Sequence, residues 1–175
     1  MKKTVLTYGL IAGLVVSVWM SVSMIAFSGN HENMAMSMAI GYLGMLIAFA
    51  FIFVAIKNYR DKVNNGIVSF GKAFGIGILV ALIASAFYIV TWAIVYHNFM
   101  PDFMENYSNA MIKEYQAQNL PAAELQAKID EMNEAAANYN NPIYFVGWTL
   151  IEILPVGIIV TLIASLILKR KPKLA

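Results

Sequence analysis

Cysteine is absent from this 175-residue chain, and histidine occurs only twice. The absence of cysteine excludes disulfide bonds, thiol catalysis and cysteine-ligated metal sites. The sequence also has no glycine-rich phosphate loop, no Ser-His-Asp set and no metal-binding helix motif. We therefore expect a protein that is not an enzyme and that carries no cofactor.

Charged residues are also scarce, at 13% of the chain, and the net charge is only +2. A nucleic-acid partner is disfavoured, because such proteins carry a strong basic patch. Hydrophobic residues make up 60% of the chain, and the mean hydropathy is +0.66. These values lie outside the range of soluble domains and predict an all-α membrane protein whose first partner is the lipid bilayer.

Four apolar stretches, at about 5–27, 35–56, 73–96 and 143–168, are each near the ~20 residues that a bilayer requires. Helices are expected, because every backbone amide in hydrocarbon must be paired within its own segment. The first stretch is longer than the ~7–15 apolar residues of a signal peptide, so we interpret it as a retained span. Residues 1–175 are then a single membrane domain.

The basic residues fix the predicted orientation. Ten of the twelve precede the first span, lie between the second and third, or follow the fourth. Because positive residues near membrane ends stay in the cytoplasm, both termini are predicted to be cytoplasmic and 97–141 extracytoplasmic, in a bacterial inner membrane.

The segment 97–141 is too polar for a span. Apolar residues recur at helical spacing on both sides of a break at Asn119 and Pro121, as in Phe103 and Tyr107 before it and Leu125 after it. Two amphipathic helices with a tight break predict an αα-hairpin between spans three and four.

Small residues at every fourth position predict close helix packing. Span one has Gly9 and Gly13, and span three has Gly77, Ala81 and Ser85. One interpretation is packing within a four-helix bundle. The other assigns one ridge, with Gly9 and Gly13 as our choice, to an exposed surface for a homodimer or another membrane protein.

Glu152 is the only acidic residue deep inside a predicted span. A charge near the bilayer centre costs at least ~2.5–3.5 kcal/mol, so we expect this residue to be protonated at rest and hydrogen-bonded. The candidate partners are Thr149, Trp148, Tyr88, Thr91, Ser17 and Ser21. The site is interpreted either as a functional titrating group or as a structural hydrogen bond that fixes helix register.

Pro155 and Gly157 follow Glu152 on the same span. Proline removes a backbone donor and glycine loosens a helix, so the pair is a candidate hinge. A weaker metal hypothesis concerns His31, Met34, Met36 and Met38, because thioethers suit Cu(I). Methionine is also a common apolar filler, which is the competing interpretation.

Several strings coincide along the chain. They are Gly41-Tyr-Leu-Gly-Met-Leu-Ile-Ala-Phe, Lys57-Asn-Tyr-Arg-Asp61, Phe70-Gly-Lys-Ala-Phe74, Pro101-Asp-Phe103, Glu152-Ile-Leu-Pro155 and Leu168-Lys-Arg170. Together they resemble the bacterial membrane-protein family catalogued as domain of unknown function 4199. The resemblance implies four spans with an outer segment before the last, and it implies no activity, ligand or site.

Two functions remain open from the sequence. The favoured one is a non-enzymatic interaction or assembly protein of the envelope, which contacts its partner through the small-residue ridges and the outer hairpin. The alternative is a small oligomeric transporter or proton-linked channel that uses Glu152 as its titrating group.

Overall fold

The computed structural model describes residues 1–27 and 34–171. Within these ranges the chain forms six α-helices: α1 (Lys2–Phe27), α2 (Met34–Asn58), α3 (Phe70–Phe99), α4 (Phe103–Ala117), α5 (Ala122–Asn138) and α6 (Pro142–Leu168). A five-residue π-helical turn, Tyr59–Val63, directly follows α2. The described residues form no β-strand.

Four of these helices are long and apolar enough to cross a membrane: Lys2–Met24 in α1, Met38–Val63 in α2 and the turn after it, and the whole of α3 and α6. The prediction of an all-helical chain with four long apolar helices is therefore confirmed. Such helices suit a membrane, because each one satisfies its own backbone hydrogen bonds.

The helices divide between two compact units. The first, here called the span unit, contains Met1–Trp92 and the segment that begins at Leu150. The second contains Ala93–Thr149 and is here called the outer unit, after the side of the membrane that the sequence predicts for it. The core of the span unit is apolar and includes the fully buried side chains of Phe49, Ile52 and Ile76. In lipid this core is held by close packing, because hydrocarbon tails are as apolar as the side chains themselves.

Glycines create the closest approaches between helices of the span unit. A Cβ atom added at Gly77 of α3 would lie 2.5 Å from Thr161 of α6 and 3.0 Å from Ile52 of α2. A Cβ atom at Gly157 of α6 would lie 3.0 Å from Ala81 of α3. The helices α2, α3 and α6 therefore pack closely at Gly77 and Gly157, where a larger residue would clash with side chains of the neighbouring helices.

The connection between α2 and α3 is joined to the end of α6. Val68 and Arg170 form an antiparallel bridge in which each N–H donates to the other's carbonyl, at 3.1 and 2.8 Å. Arg60 of the π-helical turn forms an ion pair with Asp61 and donates an N–H to the carbonyl of Leu168 at 3.3 Å. One of the last α6 carbonyls, which lack intrahelical partners, is thereby satisfied.

We expect Val68→Pro to release the segment after α6, because proline cannot donate the hydrogen bond to Arg170. A net loss of about 1 kcal/mol for one hydrogen bond corresponds to roughly fivefold more opening. Tryptic cleavage after Lys169 and Arg170 of the purified chain should accelerate by that factor. Val68→Ala keeps the N–H and is the control; equal cleavage rates for the two variants would contradict the bridge.

The outer unit contains α4 and α5, which pack against each other. The buried side chains of α4 are Met104 and Ser108, and those of α5 include Met132 and Ala135. Between the helices, Asn119 adopts a left-handed backbone with φ 51°. Asparagine tolerates this conformation better than most residues, which explains why the predicted break falls there.

Candidate functional site

Glu152 lies beside Tyr88 in the span unit. The Tyr88 hydroxyl on α3 donates to Oε1 of Glu152 on α6 at 3.4 Å, which is long for an O–H donor. Tyr88 is half-buried, whereas Glu152 is exposed on the surface of the chain. Among the described residues the carboxyl group therefore has one weak partner, Tyr88, and it is not enclosed by them.

The surface around Glu152 is otherwise apolar. Ile151 is 69% exposed and Ile159 is 55% exposed. Pro155 is exposed as well, and it has no N–H to donate to the carbonyl of Ile151 one turn earlier. One face of α6 thus presents a carboxyl group and a backbone carbonyl without its usual donor among apolar side chains.

Other predicted partners of Glu152 have contacts of their own. Thr91 of α3 donates its hydroxyl to that of Ser17 on α1 at 2.7 Å. Ser21 donates to the backbone carbonyl of Ser17 at 2.9 Å. The structure therefore places Tyr88 at the carboxyl group and uses Thr91 in a separate polar contact between α1 and α3.

Thr149 and Trp148 belong to the outer unit. Thr149 is buried and donates its hydroxyl to the carbonyl of Phe145 at 2.7 Å, one turn earlier on α6. Trp148 is 44% exposed, and its ring is parallel to that of Tyr144 with centroids 6.0 Å apart.

The two hinge candidates have different surroundings. The helix α6 continues through Pro155 as far as Leu168. Gly157 is buried, and a side chain there would meet Phe49 of α2 and Ala81 of α3. This contact gives Gly157 a steric reason to lack a side chain, and the hinge stays a prediction.

The small-residue ridges have neighbours within the chain. A Cβ atom at Gly9 would lie 2.7 Å from Ile83, and one at Gly13 would lie 2.6 Å from Phe87, both on α3. The second interpretation, in which these glycines form an exposed ridge, is wrong, because side chains of the same chain fill the space beside them. Ser85 is also buried, and its hydroxyl has no hydrogen-bond partner among the described residues.

The methionine hypothesis falls largely outside the described part. His31 lies in the gap between 27 and 34, and the side chain of Met34 is outside the description as well. Met36 and Met38 are 57% and 41% exposed. Among the described residues, no cluster of three His, Asp or Glu side chains could hold a metal ion.

An aromatic cluster in the outer unit was missed by the sequence analysis. The ring centroid of Tyr96 lies 5.2 Å from that of Tyr139, 5.8 Å from that of Phe145 and 5.0 Å from that of His97. The Tyr96 hydroxyl donates to Oδ1 of Asn140 at 3.2 Å. The available signal was the aromatic residues that flank and interrupt the asparagine-rich stretch 138–141.

A pocket of about 280 Å³ lies beside this cluster, within the outer unit. It is lined by Tyr96, Pro101, Met104, Glu105, Ser108, Asn109, Asn133, Ala136 and Asn140.

Comparison with known proteins identifies the family. A family model described as "Protein of unknown function (DUF4199)" matches residues 7–170, and the chain therefore belongs to this family. No curated protein and no solved structure matches the chain.

Proposed function

We propose that this member of the DUF4199 family is a non-enzymatic membrane protein that assembles with another membrane protein. The contact surface is the face of α3 and α6 that carries Tyr88 and Glu152. The observation that carries the proposal is the exposure of Glu152 on an apolar face within a candidate span.

The depth of Glu152 gives this observation its weight. The residue lies ten positions after Pro142, the first residue of α6, which corresponds to about 15 Å along the helix. A hydrocarbon core is about 30 Å thick, so the carboxyl group is near its middle. Polar groups at this depth normally face protein or a wet cavity, because lipid offers no hydrogen bonds.

A partner helix would supply hydrogen-bond donors to this face, where the described part of the chain provides only the hydroxyl of Tyr88. A donor from the partner could bond to the carboxyl group of Glu152 and to the carbonyl of Ile151 that Pro155 leaves without its helical N–H. Hydrogen bonds between helices in a membrane are typically worth about 1–2 kcal/mol in peptides and somewhat less in proteins. The partner is either a second copy of the chain or a different membrane protein.

The proposal includes the arrangement predicted from the sequence. The four apolar helices form a bundle in a bacterial inner membrane, with both termini in the cytoplasm and the α4–α5 hairpin outside. It is supported by the basic residues, which gather on one predicted side. Three lysines, Lys57, Lys62 and Lys72, lie between the second and third predicted spans. The segment 97–141, by contrast, carries seven acidic residues.

The test compares two substitutions of one residue. Glu152→Leu removes the hydrogen-bonding group, and we expect roughly tenfold less recovery of the partner, the size of one interhelical hydrogen bond. Glu152→Gln keeps donor and acceptor atoms, and recovery should stay near that of the wild type. The measurement is quantitative co-purification from membranes in a mild detergent, with tagged and untagged copies to detect self-association.

Ile159→Leu is the matched control, because it changes an exposed residue on the same helix without changing polarity. The proposal is rejected if Glu152→Leu recovers as much partner as the wild type. Glu152→Gln also addresses the transport alternative: a proton-linked transporter should lose uptake in proteoliposomes with this variant even while its assembly is intact.

A further inference from the structure

The pocket of the outer unit is lined by a serine hydroxyl that has no hydrogen-bond partner within the described part of the chain. Ser108 is only 5% exposed, and it lines the pocket. No described residue is hydrogen-bonded to its side chain, although serines in helices commonly bond to the carbonyl four residues earlier. Because the hydroxyl both donates and accepts hydrogen bonds, it is available to a ligand in the pocket.

One wall of the pocket is fixed by the aromatic cluster. Tyr96 is 4% exposed and packs against the rings of Tyr139 and Phe145. Its hydroxyl donates to Oδ1 of Asn140 and so orients that carboxamide. The amide N–H groups of Asn140 have no acceptor within the described part of the chain and remain able to bind a ligand.

Two further carboxamides line the pocket from the two helices. Asn109 lies on α4 and Asn133 on α5, and both are exposed. A carboxamide both donates and accepts hydrogen bonds, as a hydroxyl group does. Pro101 and Met104 add apolar surface beside these groups.

The charge of the lining restricts the ligand. None of the nine described residues that line the pocket is Lys, Arg or His, and the only charged one is Glu105. A phosphate or carboxylate would therefore find no cation there and would meet a like charge. The volume of about 280 Å³ is near the lower end of the usual range for ligand sites, about 300–1,000 Å³.

We propose that this pocket binds a small, neutral, polyhydroxylated molecule of the size of one sugar ring. The hydroxyls of such a ligand would bond to Ser108 and to the carboxamides of Asn109, Asn133 and Asn140. Its C–H groups would lie against Pro101 and Met104. The inference is independent of the Glu152 face and stands or falls separately from the proposed assembly function.

The experiment uses the full chain in detergent micelles and four probes: glucose, N-acetylglucosamine, inorganic phosphate and ethanolamine. Binding is measured by saturation-transfer NMR for the organic probes and by calorimetric titration for all four. We expect saturable binding of at least one sugar and none of phosphate or ethanolamine. Ser108→Ala and Asn133→Ala should each weaken sugar binding roughly fivefold, which is the usual effect of one lost hydrogen bond.

Asn106→Ala is the matched control, because Asn106 is exposed on α4, the helix that carries Ser108, and does not line the pocket. Asn133 is exposed, so its variant is expected to fold normally even if Ser108→Ala does not; circular dichroism checks both. The proposal is overturned if neither sugar binds saturably, if phosphate or ethanolamine binds more tightly than the sugars, or if Asn106→Ala weakens binding as much as Asn133→Ala.

Discussion

Gly44→Ala is expected to destabilise the chain, whereas Gly41→Ala on the same helix is expected to stabilise it slightly. A Cβ atom at Gly44 would overlap the indole ring of Trp19 on α1, including Cγ at 2.7 Å. The ring cannot simply move aside, because its N–H donates to the carbonyl of Ile40 at 3.0 Å. The added methyl group therefore either forces α1 and α2 apart or breaks this hydrogen bond.

The sign of the effect follows from the magnitudes. Overpacking costs about 1–3 kcal/mol, and the lost hydrogen bond costs about 1 kcal/mol. The gain in helix propensity from glycine to alanine is only about 1 kcal/mol. We expect a net loss of up to about 2 kcal/mol for Gly44→Ala, measured by reversible unfolding in mixed detergent micelles and followed by tryptophan fluorescence.

Gly41 provides the control, because nothing lies within 4 Å of a Cβ atom built there. Gly41→Ala should gain the higher helix propensity of alanine without a steric clash, and so raise the free energy of unfolding by up to about 1 kcal/mol. If Gly44→Ala proved at least as stable as Gly41→Ala, the contact between α1 and α2 at Trp19 would be wrong.

Most of the fold was predicted from the long apolar runs of the sequence. The third span was predicted at about 73–96, and α3 extends over Phe70–Phe99. The prediction succeeds because hydrocarbon tolerates few structures: a run of some twenty apolar residues must be helical. The break between α4 and α5 was also predictable, since Asn119 and Pro121 are both residues that end helices.

The neighbours of each helix could not be derived in this way. A span that is apolar all round has no polar face to show which side meets another helix. The Gly9 and Gly13 ridge was therefore recognised as a close-packing surface, but the sequence left open whether it packs within the chain or is exposed. Only the structure shows that Ile83 and Phe87 lie against it.

The candidate sites illustrate the same limit. Glu152 was singled out because an acid in hydrocarbon is costly wherever it points. Its partner depends on the rotation and register of α3 against α6, so the sequence offered several candidates and the structure placed Tyr88 beside it. The Ser108 pocket gave no signal, because a serine on a polar helix is ordinary until its burial is known.

The absence of cysteine makes the predicted orientation directly testable. A single cysteine replaces Glu124 on α5 in one variant and Lys62 in the π-helical turn in another; both positions are exposed. On intact bacterial spheroplasts, a membrane-impermeant maleimide should label the Glu124→Cys chain to completion and leave the Lys62→Cys chain unlabelled. After permeabilisation both should react equally.

The expectation rests on where the charges lie. Basic residues resist translocation across the inner membrane, and acidic residues contribute little to orientation. The basic residues of the segment 97–141 are only Lys113 and Lys128, whereas Lys57 in the last turn of α2 is followed by Arg60 and Lys62 in the π-helical turn. The unsubstituted chain is the control, since it offers no thiol to the reagent. If Lys62→Cys were labelled before permeabilisation and Glu124→Cys were not, the orientation would be the reverse of the predicted one. The outer unit and its pocket would then lie on the cytoplasmic side.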